Sequence, residues 1–281
     1  MSIITFWSSG KEQTGKTLAI AAVATYMAIE HNIRILIIST GYKDITLRNC
    51  FWLPETKVKN LGLFGPNANA GLETGIQGLT KIMRSNKISS DIITDYTKVV
   101  LKDRLEVLLP FEGPQEEYKD IKNLYDDIIK IANKYYDYVF VDLDKEVGEE
   151  NERNILKSSD VIMTNISQRP VSLNEYLEEK QENRILQNTN VIPLIGRYDK
   201  YSKYTTKNIA RYIGNKSELS TIPYNTLFFE AAEEAKVVDL FLRIRKISDI
   251  EDRNVHFINE VEKVSKKIMY KVQETQQRRK Q

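Results

Sequence analysis

The stretch that most constrains this chain is Ser8-Ser9-Gly10-Lys11-Glu12-Gln13-Thr14-Gly15-Lys16-Thr17. From Gly10 to Thr17 it follows the spacing G-x-x-x-x-G-K-[ST] without a mismatch. Ahead of it, Ile3-Ile4-Thr5-Phe6-Trp7 is β-branched and aromatic, as a buried strand is. Behind it, residues 18–29 are rich in Ala and larger aliphatics, as a buried helix is. Strand, loop and helix in that order turn a spacing into chemistry. Successive backbone N–H groups from Gly10 through Gly15 curl around a polyphosphate, and the positive end of the helix adds to the attraction. Lys16 then reaches the terminal phosphates as a point charge, and the Thr17 hydroxyl ligates Mg²⁺. The alternative is a Gly-rich turn that happens to carry Lys-Thr, and it leaves the flanks without a reason.

The rest of the composition narrows the classes. At 281 residues with 41% hydrophobic content, the chain can bury a large core as one α/β domain. One cysteine, Cys50, excludes a disulfide framework and any multi-cysteine metal site within the chain. Two histidines, His31 and His256, make a His-based metal cage or triad a poor fit. The sequence opens on a strand with no charged-then-apolar leader, and no apolar run is long enough to span a bilayer. A cytoplasmic protein is expected.

Along the chain, apolar strand patterns alternate with helical ones. Residues 33–38, 105–110, 138–142, 160–165, 190–196 and 219–223 read as strands. Residues 118–136, 173–187 and 225–235 read as helices, and residues 54–78, with five glycines and two prolines, as a long irregular excursion ending in a short helix. Pro193 inside its strand predicts an edge position or a bulge. Residues 254–272 form a terminal helix with Val255, Ile258, Val261, Val264, Ile268 and Val272 on one face, followed by a basic tail at 273–281. Such alternation predicts βαβ units stacked in three layers, an α/β fold. Its sheet is doubly wound and mostly parallel, with helices on both sides.

Ligands of such sheets bind at the carboxyl ends of the strands, so acids there are the candidates for holding metal and water. Asp142 ends an apolar strand and is placed to hold the Mg²⁺ shell; capping the next turn is its alternative role. Asp144 is a second candidate, and Asp44, in the loop after residues 33–38, could orient water or metal.

Together these residues resemble the ParA/MinD family of deviant Walker A ATPases over nearly the whole chain. Lys11 stands where that family has its early lysine, K-G-G-x-G-K-[ST]. Asp44-Ile45-Thr46-Leu47-Arg48-Asn49 is similar to D-I-G-L-R-N of MinD proteins, and Tyr138–Asp142 to the Walker B strand. Arg197-Tyr198-Asp199, then Ile222-Pro223-Tyr224-Asn225 and Glu230-Ala231, resemble the late stretch that borders the adenine pocket, most of all in the CpaE and TadZ type. The resemblance implies a three-layer P-loop nucleotide hydrolase fold of the SIMIBI type and ATP and Mg²⁺ as ligands, with Arg197, Pro223 and Tyr224 beside the base, and slow hydrolysis involving Lys11, Asp44 and Asp142. It also implies a homodimer closed on ATP, in which Lys11 reaches across, and an activating partner protein. The cargo would be DNA or a pilus, secretion or conjugation machine. Three departures stand out. Glu12 and Gln13 replace two glycines, the second strand ends at Ser39 rather than an aspartate, and the loop to Asp44 is longer.

Two surfaces carry charge. Residues 197–216 interleave Arg197, Lys200, Lys203, Lys207, Arg211 and Lys216 with four tyrosines, and residues 263–281 carry seven basic groups against Glu274. Either could serve non-specific DNA, whereas direct membrane insertion is not expected. A metabolic P-loop kinase or ligase, and a catalytically weak ATP-binding adaptor, are the competing classes.

Overall fold

In the computed structural model the described residues are 1–10, 13–53, 75–83, 90–216, 219–247, 249 and 251–280. Eight strands form one sheet in the order β3-β4-β2-β5-β1-β6-β7-β8. They are β1 Ser2–Trp7, β2 Ile35–Ser39, β3 Lys98–Leu101, β4 Leu105–Leu108, β5 Tyr138–Asp142, β6 Val161–Ile166, β7 Val191–Tyr198 and β8 Ser220–Pro223. All neighbours run parallel except the edge pair β3 and β4.

Helices cover both faces because the central strands are apolar on both. Ile4 and Phe6 of β1 face one core, and Ile3 and Trp7 the other. The first core is roofed by α1 (Lys16–Glu30), α2 (Thr46–Phe51), α9 (Thr226–Glu233), α10 (Val237–Ile244) and α11 (Arg253–Lys280). On the second lie α3 (Gly75–Met83), α4 (Gln115–Ile121), α5 (Tyr125–Ala132), α6 (Glu149–Ser158), α7 (Pro170–Glu182) and α8 (Thr206–Tyr212). The three-layer expectation holds. So does the all-round burial of α1, where every residue from Ala19 to Thr25 is buried.

Several boundaries differ from the sequence reading. Residues 118–136 divide into α4, a 3₁₀ turn at Lys122–Leu124 and α5, and residues 173–187 into α7 and a 3₁₀ turn at Arg184–Gln187. Strand β3, half exposed and only four residues long, was not anticipated. Pro193 lies in an interior strand, not at an edge: β7 pairs with β6 and β8, and the register slips further on, between Ile195 and Tyr198. β8 joins only from Leu194, so a missing N–H one residue earlier can face a side with no ladder to break.

The largest correction is at the C-terminus. α11 continues through the segment read as a tail and ends at Lys280. Gln276 donates to Ser2 Oγ at 2.9 Å, Arg278 to Thr189 Oγ1 at 2.8 Å, and the Arg279 guanidinium pairs with the buried Asp160 carboxylate at 2.5 Å. These polar partners lie in distant parts of the chain and leave no mark on the helix's own pattern. The excursion at residues 54–74 lies outside the described residues.

Candidate functional site

The loop between β1 and α1 is shaped by its glycines and by what presses on it. Gly15 (φ +77°) and Gly10 (φ +87°) take left-handed conformations that side chains resist. Behind the loop runs β7 at Gly196, where an added Cβ would stand 2.0 Å from the Thr14 carbonyl oxygen. In front, the stem of Lys145 crosses Gly10, 2.6 Å from where its Cβ would be. Lys145 is held there by Glu152 at 3.1 Å and Glu179 at 3.0 Å, with its ammonium over the Trp7 ring. Trp7 Nε1 donates to the same Glu152 at 2.7 Å, and Ser9 Oγ to Glu175 at 2.9 Å. This acidic brace was not singled out from sequence, since its members are scattered over five elements and loops.

Inside the loop, Lys16 and Thr17 converge on one carboxylate. Lys16 Nζ lies 2.9 Å from Asp142 Oδ1 and donates to the Leu143 carbonyl, while Thr17 Oγ1 donates to Asp142 Oδ2 at 2.7 Å. Asp142 is 2% exposed, so Lys16 supplies the charge that makes its burial tolerable. The hydroxyl and carboxylate are hard oxygen donors of the kind Mg²⁺ takes. One buried oxygen here, Ser39 Oγ, has no hydrogen-bond partner, and Asp142 Oδ1 has the Lys16 ammonium alone, leaving lone pairs that suit a cation and its waters. Among the described residues there is no cluster of three His, Cys, Asp or Glu side chains that would hold a metal by protein ligands alone.

The other predicted acids do local work. Asp44 Oδ1 accepts from the Thr46 N–H at 2.8 Å, and Asp144 Oδ1 from the Glu146 N–H at 2.9 Å. Neither is bonded to Asp142, Lys16 or Thr17. They flank Gly41, whose Cβ would meet Asp44 Cβ at 3.1 Å and Asp144 Cβ at 3.8 Å. Thr40 ties this corner to Asp142: its hydroxyl donates to the Asp142 carbonyl at 3.2 Å and accepts from the Asp144 N–H at 2.8 Å. Tyr118 donates to the Thr40 carbonyl at 2.6 Å; burial, then the Glu146 and Asp144 charges, push its phenol up and keep it a donor.

Beside Gly15 opens a mostly apolar cleft. Gly15, Leu18 and Ala19 form one wall, Ile222, Pro223, Tyr224 and Asn225 another, and Arg197, Phe228 and Phe229 complete it. Thus Arg197, Pro223 and Tyr224 line one cleft. Arg197 has a left-handed backbone (φ +50°), packs its stem on Gly15 and donates to the Gln13 carbonyl. Leu18, Phe228 and Phe229 were missed because a helix pattern marks them only as core. Asn165 was missed too: it is the next-to-last residue of β6, 1% exposed, with both amide atoms unpartnered. Lys11 and Glu12 lie outside the described residues, so the early lysine stays an expectation.

Three comparisons bear on this geometry. No family model matches the sequence, and no curated protein does. Solved structures do. A ParA family ATPase from Chlorobium tepidum superposes with a TM-score of 0.67 over 92% of this chain and 96% of its own, at 16% identity. The chain has the fold of the ParA and MinD ATPases. A MinD from Pyrococcus horikoshii, complexed with Mg-ADP, gives 0.63 over 96% and 98% at 16% identity. A putative plasmid partition protein from Borrelia burgdorferi, bound to AMPPNP, gives 0.58 over 99% of both chains, again at 16%. The ParA/MinD likeness therefore runs the length of the chain, from β1 and its loop to α11.

Proposed function

We propose that this chain is an ATP-binding switch of the ParA/MinD kind, a Mg²⁺-dependent ATPase of low turnover that dimerises on ATP to position or partition a cargo. The observation that carries the reading is the convergence of Lys16 and Thr17 on Asp142 beside an apolar cleft, on this fold. Thr17 and Asp142 would hold Mg²⁺, which when bound offsets the phosphate charge. Lys16 and the loop N–H groups orient the polyphosphate, and the cleft between Gly15 and Tyr224 excludes water from the base. Lys145 and its glutamates hold the front of the loop in place.

For the cargo side, residues 197–216 are the better DNA face. Lys200, Lys203, Lys207, Arg211 and Lys216 are all exposed, and Lys200 and Lys203 lie over the Tyr201 and Tyr204 rings at 5.2 and 5.3 Å. Along α11, by contrast, Lys263, Lys266, Lys271, Arg278 and Arg279 are in ion pairs. No helix among the described residues is long and apolar enough to cross a membrane.

Titration calorimetry with ADP and Mg²⁺ tests the nucleotide site: the parent should bind, and Lys16→Ala should lose binding by at least about a hundredfold. Equal affinity of the two proteins would end the reading. Light scattering with a non-hydrolysed ATP analogue tests the dimer, and DNA retardation at low salt the basic face.

A further inference from the structure

Ser39 closes β2 directly beside Asp142. The two are register partners on adjacent parallel strands, and both project to the α1 side of the sheet, where Lys16 and Thr17 lie. The Ser39 side chain is 1% exposed and its hydroxyl has no partner. A buried hydroxyl without a partner is unfavourable and calls for a reason. Asp142, meanwhile, leans on Lys16, whose ammonium is 2.9 Å away. A lysine that turns to phosphate gives up that carboxylate. What remains around Asp142 is then one hydroxyl, that of Thr17, for a charged group 2% exposed.

We infer that Ser39 is a positioning residue whose unpartnered hydroxyl donates to Asp142 when Lys16 serves the phosphates. The inference rests on the nucleotide reading above. It makes the vacant donor at the end of β2 the counterpart of the Lys16 movement: the carboxylate passes from an ammonium to a neutral hydroxyl on the neighbouring strand. Ser39 holds no phosphate itself. It keeps the Asp142 carboxylate oriented and solvated by protein during the exchange, so that a cation finds it in place.

The test compares the parent with Ser39→Ala, a change that removes one oxygen and makes no new contact. Melting of the ligand-free proteins should be unchanged or slightly higher in the variant, because its hydroxyl has no partner to lose. ADP affinity by calorimetry should fall, by roughly tenfold at trace Mg²⁺, the worth of a hydrogen bond to a charged group, and by less at saturating Mg²⁺, whose bound waters bring further donors. Ser39→Thr, which restores the hydroxyl, should recover most of the loss. A parent that binds no ADP with Mg²⁺ would overturn the nucleotide reading and this inference with it. A parent that binds, with Ser39→Ala indistinguishable from it at trace Mg²⁺, would overturn the inference alone. So would a variant whose ligand-free melting drops in step with affinity, since that marks a merely structural hydroxyl.

Discussion

Gly196 is where one added carbon should do the most harm. A methyl group there would stand 2.0 Å from the Thr14 carbonyl oxygen and 3.2 Å from its carbon. Both are backbone atoms of the phosphate loop, so no side chain can swing aside. Relief requires β7 and the loop to part by roughly 1 Å, and overpacking of that kind destabilises by about 2–3 kcal/mol. For a domain of this size that lowers the melting temperature by roughly 5–10 °C. Nucleotide affinity should suffer more, by about 10–100-fold, because the displaced atoms belong to the loop proposed to orient the phosphates. Thermal denaturation and ADP titration of Gly196→Ala measure both. Gly214→Ala is the control: its φ of +65° strains the backbone, but nothing lies within 4 Å of the new carbon, so stability should drop slightly and binding not at all. If Gly196→Ala melts and binds like the parent, the close packing of β7 on the loop is wrong.

Three further outcomes are expected. Arg279→Ala leaves the buried Asp160 without its ion pair and should reduce stability to urea by about 1–3 kcal/mol, with deletion of 273–281 worse still; a deletion that unfolds at the same urea concentration would refute the docking of α11. Glu260 of α11 accepts from Thr221 of β8 at 2.6 Å. Its burial pushes the carboxyl up, but the bonds from Lys263 and Thr221 and the Lys263 and His256 charges outweigh this and hold it below 4.5. That stabilisation is present above the ordinary carboxylate value and is lost as pH falls through the lowered one, so Thr221→Val should flatten the acid limb of the melting-temperature profile. The Cys50 thiol, raised to about 12 by burial and then by Glu233, Asp44 and Asp142, should resist thiol reagents at pH 8 until the protein unfolds; fast labelling of the native protein would contradict its burial.

What could be read from sequence depended on how local its cause was. The loop from Gly10 to Thr17 was legible because eight consecutive residues and their flanks carry its pattern. β1, β2 and β5 were legible because burial on both faces leaves nearly continuous apolar runs. β3 was not, because Lys98 and Val99 are exposed and four residues hold no period. Pro193 misled because its meaning depends on where β8 begins, which is a tertiary fact. The end of α11 was hidden because its anchors are Ser2, Thr189 and Asp160, polar groups from other parts of the chain. In the site, the motif residues were legible one by one. The brace of Glu152, Glu175, Glu179 and Lys145 was not, since it has meaning only once α6 and α7 stand beside Trp7 and Ser9.

The place of β1 in the sheet also governs the order in which the chain can fold. β1 is made before its neighbours β5 and β6, and among the described residues no strand before residue 138 pairs with it. β5 lies between it and β2, so the β1–α1–β2 unit cannot form sheet on its own. Until residue 138 is reached, the described strands that can pair are β2, β3 and β4, while Ile3 to Trp7 wait for β5 and β6. Pairing across such separations is slow, and an apolar strand with open edges invites association with other chains. The phosphate loop hangs from that strand and takes shape only when the sheet closes around it. A nucleotide bound as proposed would therefore stabilise the finished fold, but would not speed the steps that precede the docking of β5 and β6 on β1.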